Sequence, residues 1–189
     1  MDNNFLESAI KQFEYYKSLG EKTFNQIDEQ KLFWQYNNES NSIAIIANHL
    51  HGNMLSRWTD FLTTDGEKDW RNRDAEFEND TATKQALLNN WNEGWSCLFN
   101  ALNALTAADL NKLIYIRNQG QTVVEAINRQ LCHYSYHVGQ IVFIGKMICN
   151  ENWTSLSIPK GNSATYNQDK FLQPKHQEHF TDEYLKEKK

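Results

Sequence analysis

Apolar residues recur every three or four positions along four long segments of this chain, and no proline interrupts any of them. A helix turns once per ~3.6 residues, so this spacing gathers apolar side chains onto one face that must bury against a neighbour. The first segment predicts a helix over 4–27, striped by Leu6, Ile10, Phe13, Tyr16, Gly20, Phe24 and Ile27, with Asn4 and Glu7 resembling a capping box. The second predicts a helix over 43–62, with Ile43, Ile46, Leu50, Met54, Trp58 and Phe61 inward and Asn41 or Ser42 as cap. A third, about 82–104, carries Leu87, Leu88, Trp91, Trp95, Leu98, Phe99 and Leu102 behind a cap at Asp80 or Thr81. The fourth, about 123–149, opens on the capping box Thr122-Val-Val-Glu125 and is striped by Val124, Ile127, Leu131, Tyr134, Val138, Ile141 and Ile148. Proline costs ~3 kcal/mol inside a helix, and the chain has only 2. The fold class expected is all-α, a four-helix bundle, whose core commonly holds sites built from facing helices.

The connections are uneven. Residues 63–80 form a long, charged link, and links of that length are usually functional or disordered. Trp70 and Phe77 argue for order, because they give the link something to bury. Residues 107–112 read as a short turn of helix, and 113–121, with β-like residues and a glycine turn, as a small extended or hairpin segment. Periodicity fades after Asn150, so an irregular C-terminal arm and a charged tail over 184–189 are expected. The division is a helical domain over 1–165 and an arm over 166–189.

Composition removes several function classes. A net charge of −5 without a basic stripe makes a poor nucleic-acid binder, since phosphate contacts dominate that affinity. No apolar run approaches the ~20 residues of a membrane span, and the N-terminus lacks a basic start and apolar core of a secretory signal. Cys97, Cys132 and Cys149 are odd in number and far apart, which reads as free thiols in a reducing cytoplasm.

Chemistry concentrates in Gln130-Leu-Cys-His-Tyr-Ser-Tyr-His-Val-Gly-Gln140. His133 and His137 stand four apart, which stacks two imidazoles on one helix face where they can share a metal ion. A third ligand must come from another helix, and His49 is the best placed, beside Leu50 at the edge of the second helix's inward face. His51 lies about 200° around the helix from His49 and cannot share its site. Three neutral imidazoles suit Zn, Ni, Fe or Cu and leave a position for water or substrate, as catalytic rather than structural zinc sites do. The chain contains no His-Glu-x-x-His, Glu-x-x-His, Cys-x-x-Cys, Gly-x-x-x-x-Gly-Lys or Gly-x-Ser-x-Gly. Zincin protease, ferritin-like di-iron, phosphate-loop and serine hydrolase readings therefore lack their motifs.

Three stretches resemble the DinB-like superfamily, and within it the DUF1572 group: Ser42-Ile-Ala-Ile-Ile-Ala-Asn-His-Leu-His-Gly-Asn-Met-Leu-Ser-Arg-Trp58, Trp70-Arg-Asn-Arg-Asp74, and His133-Tyr-Ser-Tyr-His-Val-Gly-Gln-Ile-Val-Phe-Ile-Gly-Lys146. Trp153-Thr-Ser-Leu-Ser-Ile-Pro159 extends the likeness, which covers roughly 5–165. The resemblance implies a four-helix bundle holding a divalent metal (Zn, Ni, Fe or Mn) on three histidines that match His49, His133 and His137. Characterised members of the superfamily the chain resembles include metal-dependent thiol transferases using a low-molecular-weight thiol such as bacillithiol, mycothiol or glutathione, and a maleylpyruvate isomerase; the resemblance thus implies an activity of this kind, the thiol transferase first, and a homodimer. The rival readings are a non-catalytic, stress-related metal- or ligand-binding protein, and an interaction module with incidental histidines.

Neighbouring residues admit sharp and plain readings. Asn53 and Gln140, one turn beyond His49 and His137, either orient a ligand or make ordinary interhelical hydrogen bonds. Arg57, Arg71 and Arg73 either meet an anionic substrate or, the favoured reading, pin the long link through Asp60, Asp65, Asp74 and Glu76. Tyr134 and Tyr136 read as packing groups, Cys132 as a small buried hydrophobe pointing away from His133, and His51, His176 and His179 as surface histidines.

Overall fold

Each of the four stripes forms a helix, and the ends are set by caps and backbone sterics. The computed structural model describes residues 4–78 and 83–185. α1 spans Asn4–Phe24, α2 Ile43–Trp58, α3 Lys84–Asn103 and α4 Val123–Cys149. Ser42 caps α2 by accepting from Ile45 N at 3.1 Å. Thr122 and Glu125 form the expected capping box on α4. α3 starts two residues later than expected, behind Thr83, whose side chain accepts from Ala86 N at 3.1 Å; Asp80 and Thr81 lie outside the described residues. Asn4 is already helical in α1 rather than its cap. α2 stops at Trp58, short of residue 62, because Asp60 adopts φ 48°, a left-handed conformation that cannot continue a right-handed helix.

The helices surround one apolar core, with α2 against α3, α1 against α4, and α2 against α4. Aromatic rings form its centre: Phe24, Trp91, Trp95, Tyr134 and Phe13 touch in succession at centroid distances of 5.0, 5.4, 5.9 and 5.8 Å. Gly20 makes the α1–α3 approach feasible, since a Cβ there would fall 2.5 Å from the Trp91 ring. Trp58 Nε1 donates to Tyr134 Oη at 3.0 Å, and that hydroxyl donates to Asn53 Oδ1 at 3.1 Å. This buried chain ties α2 to α4 beside the histidines, so Asn53 and Tyr134 take the plain structural reading.

The hairpin is present as β1 (Leu113–Ile116) and antiparallel β2 (Gln119–Thr122), but glycine does not make its turn. Gly120 sits within β2, opposite Tyr115. The turn is Arg117-Asn118, with φ 56° and 60°. Two-residue hairpin turns want positive φ at both positions, and asparagine tolerates it better than arginine. Asp65 compensates from the segment after α2: its carboxylate accepts from Arg117 N at 2.8 Å and Asn118 N at 2.9 Å.

That segment, 59–78, is ordered by polar contacts rather than by Trp70, which is 59% exposed. Gly66 N donates to Tyr115 O at 2.8 Å, and Ser56 Oγ donates to Gly66 O at 2.7 Å. Buried Arg57 donates to the same Gly66 carbonyl and to Glu67 Oε2. The C-terminal arm is more regular than its sequence suggests. It contains α5 (Ser163–Phe171) and α6 (Asp182–Leu185), and α6 with the residues just before it docks on α1 through Lys11–Asp182 at 2.8 Å and through Tyr15, whose ring meets Phe180 edge-on and Tyr184 at a tilt. His179 joins this contact, 3.0 Å from Ser8 Oγ, instead of lying free on the surface. Residues 186–189 of the tail lie outside the described residues. Among the described residues, no helix is long and apolar enough to cross a membrane.

Candidate metal centre

α2 and α4 bring the three predicted histidines to one point. His133 and His137, a turn apart on α4, have Nε2 atoms 3.1 Å from each other. His49 reaches across from α2 and places its Nε2 3.4 Å from that of His133. The three ligand atoms all lie within 4.8 Å of one another, and no other such group of histidine, cysteine or carboxylate side chains occurs among the described residues. A second site at His176 and His179 is therefore not formed there.

The far nitrogens decide what the near ones carry. His49 Nδ1 donates to Glu76 Oε2 at 2.8 Å. A carboxylate only accepts, so the His49 proton is on Nδ1 and its Nε2 turns a lone pair toward the centre. His137 Nδ1 donates to Gln140 Oε1 at 2.9 Å, with the same result. His133 can offer at most one proton between the two lone pairs, so the cluster has more acceptors than donors. A cation resolves that imbalance. With ~2.05 Å bonds in tetrahedral geometry, imidazole nitrogens stand about 3.3 Å apart, which matches the 3.1 and 3.4 Å edges. The donor set, with two of its three edges at that spacing, fits a metal ion.

Protonation is disfavoured where a ligand needs to be neutral. Burial, then the rings of His137 and His49, push the His133 imidazole down to about 3. Burial likewise lowers His137, partly opposed by its bond to Gln140 and reinforced by His49. Burial alone would raise the Glu76 carboxyl, but hydrogen bonds from His49 and Arg71 hold it below the ordinary glutamate range.

Sequence reasoning gave Glu76 only the role of a loop acid that pins an arginine, and missed its bond to His49. Glu76 does pair with Arg71, which donates from Nε to Oε1 at 2.7 Å and from Nη2 to Oε2 at 2.9 Å. Its greater consequence is to join that arginine to a histidine of the centre, the partner arrangement that orients metal-ligating imidazoles. Gly52 makes room for it: a Cβ there would lie 2.4 Å from Glu76 Oε1. Phe77 adds a stacked ring 4.7 Å from that of His49. The only sequence signal for Glu76 was the general need of a ligating histidine for an acceptor on its second nitrogen, and Asp69, Asp74, Glu76 and Glu78 satisfied it equally.

The remaining candidates divide. Gln140 takes its orienting role. Arg57, 7% exposed, and Arg71 serve the loop and the centre, with Glu67, an acid outside the expected set, 3.1 Å from Arg57, 3.6 Å from Arg71 and 2.9 Å from Arg117. Asp65 holds backbone amides instead. Arg73 lies over the Phe77 ring and 4.0 Å from Asp74. His51 pairs with Glu93 of α3 at 3.0 Å, away from the centre. Cys132 is exposed, not a buried hydrophobe, because the stripe it borders turns Leu131 and Tyr134 inward and leaves residue 132 to solvent. Tyr136 is exposed and touches the His137 ring edge-on at 5.2 Å.

A family profile described as "Protein of unknown function (DUF1572)" matches residues 1–162. No curated protein and no solved structure matches the chain.

Proposed function

The chain belongs to the DUF1572 family, and from that premise we propose that it is a divalent-metal-binding protein of DinB-like type, its four long helices forming the bundle, and a metal-dependent thiol S-transferase. The observation that carries the metal reading is the convergence of three imidazole Nε2 atoms with the His49 proton directed away by Glu76. His49, His133 and His137 would hold the ion. Glu76 and Gln140 keep two of those rings in the required tautomer and direction. Arg71 anchors Glu76, and Phe77 covers one face of His49. A bound divalent ion supplies Lewis acidity, which lowers the pKa of a coordinated thiol so that it is a nucleophile at neutral pH. The metal partners on offer are three neutral groups, which leaves room for an anionic thiolate. The chain contributes binding and orientation. Cys132, next to His133 in sequence, faces solvent. The homodimer and the cytoplasmic location belong to the same proposal.

One observation favours a structural role for the ion. Glu76 links the centre to Arg71 and to the ordered segment 59–78, so an ion there would also stiffen that segment. Metal analysis of the purified chain, with a thiol-consumption assay using bacillithiol, mycothiol and glutathione against a panel of electrophiles, separates the readings. About one ion per chain and a rate that disappears with chelator and in His137→Ala support the transferase. An ion without any metal-dependent rate leaves the structural reading, and failure to take up Zn, Ni, Fe or Mn removes both.

A further inference from the structure

A groove of about 480 Å³ lies between α2 and α4 beside the candidate metal centre, walled by the segment before α2. Gln140 belongs to both places: its Oε1 holds His137, and its side chain lines the groove. Ile46, one turn before His49 on α2, lines it from the other side. On α4 the lining continues through Phe143, Ile144 and Met147. At 1.5 Å per residue, the α4 lining from Gln140 to Met147 spans about 10 Å, the length of a two-ring molecule.

The lining is unusually exposed for its chemistry. Tyr36 is 73% exposed, Phe143 65%, Met147 48% and Trp34 40%. Apolar groups gathered at a concave surface beside a reactive centre mark a binding site more often than chance. Charge then selects the occupant. Glu39 is the one lining residue charged at neutral pH, and no lysine or arginine lines the groove, so a carboxylate or phosphate would meet no counter-charge and some repulsion. With Oε1 committed to His137, the amide nitrogen of Gln140 is a donor at the histidine end of the groove for a polar atom of the ligand.

We infer that this groove binds the uncharged, aromatic or apolar body of the second substrate, its reacting end directed past Gln140 toward the three histidines. The inference rests on the transferase reading for its purpose but not for its test. The probe is N-phenylnaphthylamine, a neutral aromatic fluorophore, titrated into the full-length zinc-loaded chain, with naphthoate as the anionic comparison. The expected result is saturable binding of one fluorophore per chain and at least about tenfold weaker binding of naphthoate. Phe143→Ser and Met147→Lys should each weaken the neutral probe by about tenfold, with circular dichroism and melting temperature confirming that the variants fold. His49→Ala should lose metal yet retain the probe, so a failed metal reading and a failed groove are told apart. Equal binding of naphthoate, or probe binding indifferent to both groove substitutions, overturns the inference. So does a wild-type dimer that excludes the probe and dissociates in Phe143→Ser, because a second copy then fills the groove.

Discussion

The two walls of the metal centre are built differently. His49, on α2, is 4% exposed, stacked on Phe77 and bonded to a carboxylate that is itself clamped by a buried arginine. His133 and His137, on α4, are half-buried, next to exposed Tyr136 and beside the groove, and His137 Nδ1 is held by the uncharged Gln140 from its own helix. One wall is held by a distant segment; the other is locally supported and lies beside the groove. Such a division lets one side define where an ion sits while the other side leaves access to it.

The largest effects should come from removing the ligands themselves. His49→Ala, His133→Ala or His137→Ala is expected to weaken zinc binding by more than about 100-fold, beyond the 10–100-fold that orienting partners cost; calorimetric titration of chelator-treated protein checks this. If His49→Ala binds as well as wild type, the α2 wall is not part of the site.

Next come the partners, which test the asymmetry directly. Glu76→Gln should weaken metal binding by roughly 10–100-fold, and Gly52→Ala, by displacing Glu76, should act in the same direction. Glu76→Gln should also lower the melting temperature, because it removes the nearer of the two carboxylates that pair with buried Arg71. Gln140→Ala should cost only a few-fold, since an uncharged acceptor polarises the ring less than a carboxylate and water can replace it at a half-exposed position. Equal losses from Glu76→Gln and Gln140→Ala would erase the distinction between the walls.

Acid should then act on the α4 wall. His133 is held down to about 3 and His137 is also lowered, whereas an unfolded chain protonates histidine near 6.5. Below 6.5 the unfolded state takes up more protons than the folded one, so this contribution to stability is complete above pH 6.5 and is lost as pH falls toward 3. Metal-free protein should melt progressively lower from pH 6.5 to 4.5, and His133→Ala should flatten that slope. A melting temperature insensitive to pH over this interval would contradict the desolvation of that ring. The smallest effect is expected on the outer surface of the same helix. Cys132→Ser should leave melting and metal affinity unchanged within about 0.5 kcal/mol, and a larger change would mean that this exposed thiol touches the centre.

Much of the helical frame was legible because its signals are local. Ser42 and the Thr122/Glu125 box mark helix starts within three residues, and the stripes need no partner to be seen. The same locality found His133 and His137. Trp70 and Cys132 were misplaced because an apolar side chain does not say whether a neighbour covers it, and the hairpin turn was misread because Asp65, some 50 residues away, makes Arg117-Asn118 tolerable.

From its sequence alone this protein is bound to be mostly helical, to place two imidazoles on one face of α4 and to hold His49 near the inward face of α2, since spacing of three and four residues acts through the backbone of a single helix. Tertiary structure alone chose Glu76 from among the acids of the link, made room for it at Gly52, and opened the groove beside Gln140. Those choices depend on which surfaces meet across the chain, and a contact between residues far apart in sequence leaves no period to read.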